Sequence, residues 1–112
     1  ILPQPSEQAL NAHLGVSALC SPILDQMLTA ADWLAGFTGN REAAQAYIAL
    51  MIRGYLPARP APGDLPEALQ KLSTEGGLNA TLRKAMASAT TDLRQGLDAF
   101  RPRLGLQQEA KE

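Results

Sequence analysis

The chain has 112 residues, of which 46% are apolar, ten are basic and eleven are acidic. This length and composition indicate one globular domain with a modest core, and the balanced charge argues against binding to nucleic acid or to an anionic membrane. Cys20 and His13 are the single cysteine and histidine, so the chain has no internal disulfide and no ligand set for zinc.

Two prolines, Pro3 and Pro5, make residues 1–5 unsuitable for a helix, and we interpret this segment as a linker. Ser6 is expected to cap the first helix, which Gly15 weakens. The pair Ser21-Pro22 is expected either to start a new helix or to kink the first one, because proline is tolerated at a helix start.

A wide apolar stripe predicts a second helix from Pro22 to Leu34, with Gly36 as its C-cap. Asp25 and Asp32 lie off the stripe, and we interpret them as part of a solvated face rather than as a pair of catalytic carboxylates. Trp33 lies beside the stripe and is expected to anchor the edge of a core or of an interface.

The third predicted helix runs from Glu42 to Leu56 and stops at Pro57. Thr38 or Asn40 is expected to cap it. Alanines make its first half slim, and slim faces permit close helix approach, either inside a bundle or across a dimer.

The segment from Pro57 to Gly63 contains three prolines and predicts a stiff surface loop. Asp64 and Glu67 then have the spacing of a capping box, which predicts a short helix through Leu72.

A further helix is expected after Gly77, with one apolar face formed by Leu78, Leu82, Ala85 and Met86. Thr90 or Thr91 is expected to cap the last helix, and Pro102 to end it, leaving a frayed tail over residues 105–112.

The whole chain has one valine and no alternating strand pattern, so the sequence predicts an all-α fold. We expect a bundle of about five to six helices in one domain over residues 6–104. No unbroken apolar run approaches the ~18 residues of a membrane span, so we expect a cytoplasmic protein without membrane association. The residues indicate no catalytic group and no metal site.

The segment from Leu72 to Lys84 leaves one predicted helix, passes through Gly76-Gly77 and enters another helix. Amide groups in the first turn of a helix point outward, and together with the helix dipole they favour a carboxylate or a phosphate. The simpler interpretation of such a glycine pair is a C-cap and a turn.

Roughly from Leu10 to Phe100, the chain resembles the C-terminal helical domain of the pyrroline-5-carboxylate reductase family. The strongest match is Ser73-Thr74-Glu75-Gly76-Gly77, where family members read Thr-Ser-Pro-Gly-Gly-Thr-Thr. The resemblance implies a preceding Rossmann domain that binds NAD or NADP, and a helical domain interlaced with a second copy in a homodimer.

In the family, this turn holds the carboxylate of the cyclic imino acid or of proline beside the nicotinamide. The resemblance therefore implies substrate-binding roles for six positions: Ser73, Thr74, Gly76, Gly77, Leu78 and Asn79. Three of them are matched directly, since Thr74 corresponds to the family serine and the two glycines to the family glycines.

The chain departs from the family at Glu75, which replaces a proline, and at Leu78 and Asn79, which replace two threonines. An acid beside the anion site and two lost hydroxyl groups should weaken carboxylate binding, since each charge-assisted bond contributes about 1.5–3 kcal/mol. We therefore expect a divergent member that takes a small carboxylate other than pyrroline-5-carboxylate.

Two functions follow from these observations. The first is the dimerisation and substrate-side domain of a nicotinamide-dependent oxidoreductase, inactive without its Rossmann domain. The second is a non-enzymatic helical interaction module, whose groove would be lined by Leu24, Met27, Leu28 and Met51. A helix-turn-helix that binds nucleic acid is a weaker third, because no basic recognition helix is present.

Overall fold

The computed structural model describes residues 6–58, 61–72 and 77–106. Every regular element in these ranges is helical, which confirms the predicted all-α class. A 3-10 turn at Ser17–Leu19 joins α1 to α2, and the α-helices have the following bounds: α1 Glu7–Val16, α2 Cys20–Thr38, α3 Arg41–Tyr55, α4 Asp64–Lys71, α5 Leu78–Ala85, α6 Ala87–Asp98 and α7 Arg101–Leu104.

The chain divides into two compact units, whereas the sequence predicted one helical domain over residues 6–104. Unit 1 combines residues 1–20 with residues 86–112, and unit 2 comprises residues 21–85. The first boundary falls at the start of α2, where no proline- or glycine-rich linker marks it. The predicted linker at residues 1–5 and residues 107–112 of the predicted tail lie outside the described residues.

In unit 1, α1 packs directly against α7. The Ser6 hydroxyl caps α1 as predicted, accepting a 3.0 Å bond from the amide of Ala9. The side-chain amide of Asn11 donates to the carbonyl of Leu104 at 3.1 Å. At Gly15 the two helices are so close that an added Cβ would lie 2.6 Å from Leu104 Cδ1. Gly15 thus marks a close helix contact.

Two expectations about the end of the chain are wrong. Thr90 and Thr91 do not cap a helix, because α6 already begins at Ala87 and contains both of them. Pro102 lies in the first turn of α7 rather than ending a helix, a position where its missing N–H is tolerated. Instead α7 ends at Gly105, whose φ of 68° is left-handed.

In unit 2, the buried cluster has residues from both α2 and α3. Pro22 lies in the first turn of α2, which begins at Cys20, and this agrees with one of the two predicted alternatives, a new helix rather than a kink in the first one. The predicted end at Gly36 is wrong, because α2 continues to Thr38. Gly39, with φ of 73°, follows, and its amide donates to the carbonyl of Ala35 at 2.8 Å.

Asn40 caps α3, which was one of the two predicted alternatives. Its Oδ1 accepts a bond from the amide of Ala43 at 3.0 Å. Across the turn, Arg41 and Asp32 form an exposed ion pair at 3.6 Å. An exposed ion pair contributes only about 0–1 kcal/mol to the free energy of unfolding. The turn and the N-cap therefore fix the position of α3 beside α2 more than this ion pair does.

The core of unit 2 is small. Ala31 of α2 and Ala44 and Ile48 of α3 are buried, and three partly buried residues pack against them: Met27, Leu34 and Ala35. No other residue in the described part of the chain is buried. Small side chains at Ala31 and Ala44 join α2 and α3 in this cluster, and the close approach expected of the alanine-rich helix stays a prediction.

The capping box expected at α4 is not formed. Gly63, with φ of 86°, occupies the N-cap position, and Asp64 is the first helical residue. The Asp64 carboxylate turns back to accept from the amide of Ala61 at 2.7 Å. Glu67 instead forms an ion pair with Lys71 at 3.5 Å, one turn further along the helix. The Asp64 carboxylate therefore bonds within the loop and does not cap α4 as the spacing predicted.

Candidate functional site

The turn carrying the family resemblance leads directly into α5. The carbonyl of Gly77 accepts bonds from the amide of Thr81 and from its hydroxyl group, both at 3.0 Å. The helix therefore begins at the expected place. Ser73, Thr74, Glu75 and Gly76 lie outside the described residues, so four positions of the resemblance have no structural description.

The first turn of α5 has the properties that favour an anion. Its side chains include no acid, whereas the last turn carries Arg83 and Lys84, which complement the dipole at the other end. Leu78 is 90% exposed and Asn79 is also exposed. At Leu78 and Asn79 the described turn thus offers helix amides and the Asn79 carboxamide, without the hydroxyls of the family threonines.

The other polar residues considered from the sequence are exposed. His13 bonds through Nδ1 to the carbonyl of Ala9 at 2.7 Å, and Cys20 is an exposed free thiol. Asp25 and Asp32 are also exposed. Within the part of the chain that the structure describes, no three His, Cys, Asp or Glu side chains are grouped closely enough to hold a metal ion.

Large apolar side chains are exposed along α2 and α3. Leu24 is 57% and Leu28 is 49% exposed, although both lie on the core-facing half of α2. We define the apolar stripe as these two residues with three exposed residues of α3: Met51, Ile52 and Tyr55. Met27, the remaining residue of the predicted groove, is half-buried against the core. Exposed apolar residues grouped in this way are typical of interaction surfaces.

Trp33 is also exposed, and its ring packs against that of Phe37 with a centroid distance of 5.0 Å and a tilt of 59°. Both rings belong to α2 and are outside the core of unit 2. Trp33 is 70% exposed and does not anchor the edge of this core, and its role as an interface anchor stays a prediction.

A pocket in unit 1 was not foreseen from the sequence. Its volume is about 440 Å³, and α1 forms one wall while α6 and α7 form the other. The pocket is lined mainly by apolar groups, and three charged side chains also line it: Arg94, Asp98 and Arg101. Two features of the sequence lie at this pocket: Gly15 within a helix and the opposite charges near the end of α6. Neither indicated a cavity, because a cavity depends on how α1 meets α7.

The stretch Glu7–Thr38 is long and apolar enough to span a membrane, judged by length and composition alone. Core helices and signal sequences pass the same test, so this is weak support for a membrane segment. This stretch was not predicted from the sequence, because polar residues such as Asn11, Asp25 and Gln26 interrupt it and leave no unbroken apolar run as long as a membrane span.

No known protein family, no curated protein and no solved structure matches this chain. The arguments for its function therefore depend on the residues and their geometry.

Proposed function

We propose that this chain is a helical dimerisation domain, and that a second copy covers the apolar stripe of unit 2. The observation that carries the proposal is the contrast between three buried residues and the five large apolar residues exposed beside them. Exposed apolar area of this kind mostly marks an interface. A near-neutral chain also repels its own copies weakly.

The apolar stripe continues the core-facing side of both helices. Leu24 lies about two helical turns before Ala31 of the core, and Met51 and Tyr55 lie on the same side of α3 as Ala44. A second copy presents the same apolar residues and is therefore a self-complementary partner. Leu24 and Leu28 would fill the interface, with Met51, Ile52 and Tyr55 around them.

The test compares two neighbouring substitutions on α2. Leu28→Lys places a charge in the apolar stripe, and we expect a monomer by light scattering at concentrations where the unmodified chain has about twice the mass of 11.9 kDa. Thr29→Lys adds the same charge about 100° further round the helix and should leave the dimer intact. Equal masses for the unmodified chain and Leu28→Lys would contradict the proposal.

A more specific role rests on the turn at Gly77. We propose that the domain supplies the substrate side of an oxidoreductase resembling pyrroline-5-carboxylate reductase, in which a separate Rossmann domain binds NAD or NADP. The start of α5 directly after Gly77 favours this role, because its amides would hold a small carboxylate. Hydride transfer would belong to the cofactor, and we expect a cytoplasmic parent enzyme and an inactive isolated domain.

The turn can be tested by restoring the family threonines. Leu78→Thr with Asn79→Thr should raise the affinity for L-proline by about tenfold or more, as one or two charge-assisted bonds are regained. Amide shifts at Gly77 and at positions 78 and 79 would report binding, and prolinamide, which lacks the carboxylate, is the matched control ligand. A structural turn alone predicts no saturable shift with either ligand, in which case the helical interaction module would be the better description.

A further inference from the structure

We infer that the pocket of unit 1 is a binding site for a small uncharged molecule that consists mainly of hydrocarbon, either aliphatic or aromatic. The ligand would lie between α1 on one side and α6 and α7 on the other. None of the residues that line this pocket belongs to the turn at Gly77, so this site is additional to the function proposed above.

The size and walls of the pocket suit such a ligand. Its volume of about 440 Å³ lies within the range of small-molecule sites, roughly 300–1,000 Å³. Ala12 and Val16 line it from α1, while Leu97, Phe100 and Leu104 line it from the other side. Val16 is 46% exposed. A hydrocarbon body placed there would remove apolar surface on two opposite walls from water, which is favourable in proportion to the area covered.

The two walls are held in position by contacts of the chain itself. The side-chain amide of Asn11 donates to the carbonyl of Leu104 at 3.1 Å, and the missing side chain of Gly15 lets Leu104 approach the backbone of α1. A ligand therefore does not have to bring the walls together, and this lowers the entropic cost of binding. A cavity of this kind favours a small molecule over a partner helix, which would need a longer open groove.

The three charged side chains that line the pocket are engaged with protein groups. The Asp98 carboxylate lies between two arginines, with Arg101 Nε at 3.2 Å from Oδ1 and Arg94 Nε at 3.6 Å from Oδ2. Both arginines also have further interactions within the chain. A charged ligand would lose hydration on entering the cavity without gaining an unengaged counter-ion, whereas a hydrocarbon has no such hydration to lose. The pocket therefore selects against charge.

The uncharged polar side chains that line the pocket are engaged as well. The Ser6 hydroxyl accepts from the amide of Ala9 at 3.0 Å, and His13 bonds through Nδ1 to the carbonyl of Ala9 at 2.7 Å. Gln8 also has a partner within the chain. Polar groups that are already bonded give a ligand little directional recognition, so shape and apolar contact decide what binds.

The experiment uses decanol as the probe and decanoate as its charged counterpart, titrated into the full chain at neutral pH and followed by NMR. Decanol should produce saturable shifts at Ala12, Val16 and Leu97, at concentrations that leave the indole of Trp33 in unit 2 unchanged. Decanoate should bind about tenfold more weakly, because its carboxylate loses hydration without a new partner. Decanoate binding as tightly as decanol, equal titration midpoints at Ala12 and Trp33, or no saturable shift in unit 1 would each overturn the inference.

A matched pair of variants tests the location of the site. Ala12→Leu keeps a high helix propensity and fills the space between the walls, so decanol should lose its saturable binding. Ala46→Leu makes the same change at an exposed position of α3, which does not line the pocket, and should leave the decanol affinity unchanged. Equal decanol affinity in Ala12→Leu and in the unmodified chain would overturn the assignment.

A second substitution keeps the test decisive if Ala12→Leu disturbs the fold. Val16→Gln places an amide in the apolar wall at a partly exposed position, and it should weaken decanol about tenfold while the helical circular dichroism stays unchanged. Unchanged decanol affinity in Val16→Gln would show that the probe does not contact this wall, and it would contradict the inference.

Discussion

The two units use the same device, a small residue at a helix contact, with different results. In unit 2, Ala31 and Ala44 bring α2 and α3 together, and the neighbouring Ile48 fills the space to form a core. In unit 1, Gly15 brings α1 onto α7, but none of the described residues there is buried and a cavity lies beside the contact. Close approach of helices gives a core only when a large side chain of matching shape adjoins it.

This comparison also separates the roles that we assign. In unit 2, the packed core holds α2 and α3 together and leaves the apolar stripe on these helices exposed. This arrangement suits association with a second copy. The unfilled contact of unit 1 leaves room for a small molecule. Four experiments test this contrast.

The largest effect is expected at Ile48, the largest residue of the small core. Ile48→Ala should lower the free energy of unfolding by about 2–3 kcal/mol, the lower part of the usual range because the core is small and can relax. Urea unfolding followed by helical circular dichroism measures this change. Leu50→Ala on the same helix, where Leu50 is 63% exposed, is the matched control and should cost less than about 1 kcal/mol when monomeric. Equal costs would mean that the core assignment is wrong.

The two N-caps should each be worth about 1 kcal/mol, because each satisfies one first-turn amide. Ser6→Ala removes the bond to the amide of Ala9 in unit 1, and Asn40→Ala removes the bond to Ala43 in unit 2. Amide hydrogen exchange should accelerate mainly in the unit that carries the substitution. Equal acceleration throughout the chain would show that the two units unfold together and that the division has no energetic meaning.

A double-mutant cycle tests the contact at Gly15. Gly15→Ala alone should change stability little, since a gain in helix propensity is offset by displacing Leu104, whose Cδ1 would lie 2.6 Å from the new Cβ. In a Leu104→Ala background the same change should stabilise the protein by about 0.8–1 kcal/mol. The difference in unfolding free energy gives the coupling, and identical effects in both backgrounds would exclude the close contact.

The smallest effect is expected at the ion pair of unit 2. Arg41→Met removes the 3.6 Å contact with Asp32 and should change the unfolding free energy by less than about 0.5 kcal/mol, because both side chains are mostly exposed. Urea midpoints at low and high salt provide the measurement. A loss above about 1 kcal/mol would mean that charge, rather than packing, holds α2 and α3 together.

Local signals in the sequence identified most of the helices. Ser6 caps the first helix as expected, and Asn40, one of two expected residues, caps α3. The apolar segment from Pro22 to Leu34 and the alanine-rich segment are both helical. Four local assignments were wrong: the C-cap at Gly36, the capping box at Asp64, the cap at Thr90 or Thr91 and the stop at Pro102. Gly39 ended α2 instead of Gly36, because the helix terminus requires a left-handed residue and either glycine could have provided it.

The sites were less predictable than the helices. The start of α5 after Gly77 follows from the glycine signal in the sequence. The pocket of unit 1 depends on Gly15 and Leu104, which are far apart in the chain and meet through tertiary packing. No local sequence pattern predicts a tertiary contact between two residues so far apart in the chain. The same applies to the division at Cys20, which falls at the start of a helix rather than in a recognisable linker.

The central claim is that a second copy completes the folded state, and the thermal midpoint of the unmodified chain tests it most directly. Because association stabilises the folded form by mass action, the midpoint should rise steadily as concentration increases about a hundredfold. Leu28→Lys should remove that dependence, and Thr29→Lys should keep it. A midpoint that stays constant over the whole range in the unmodified chain would contradict the account.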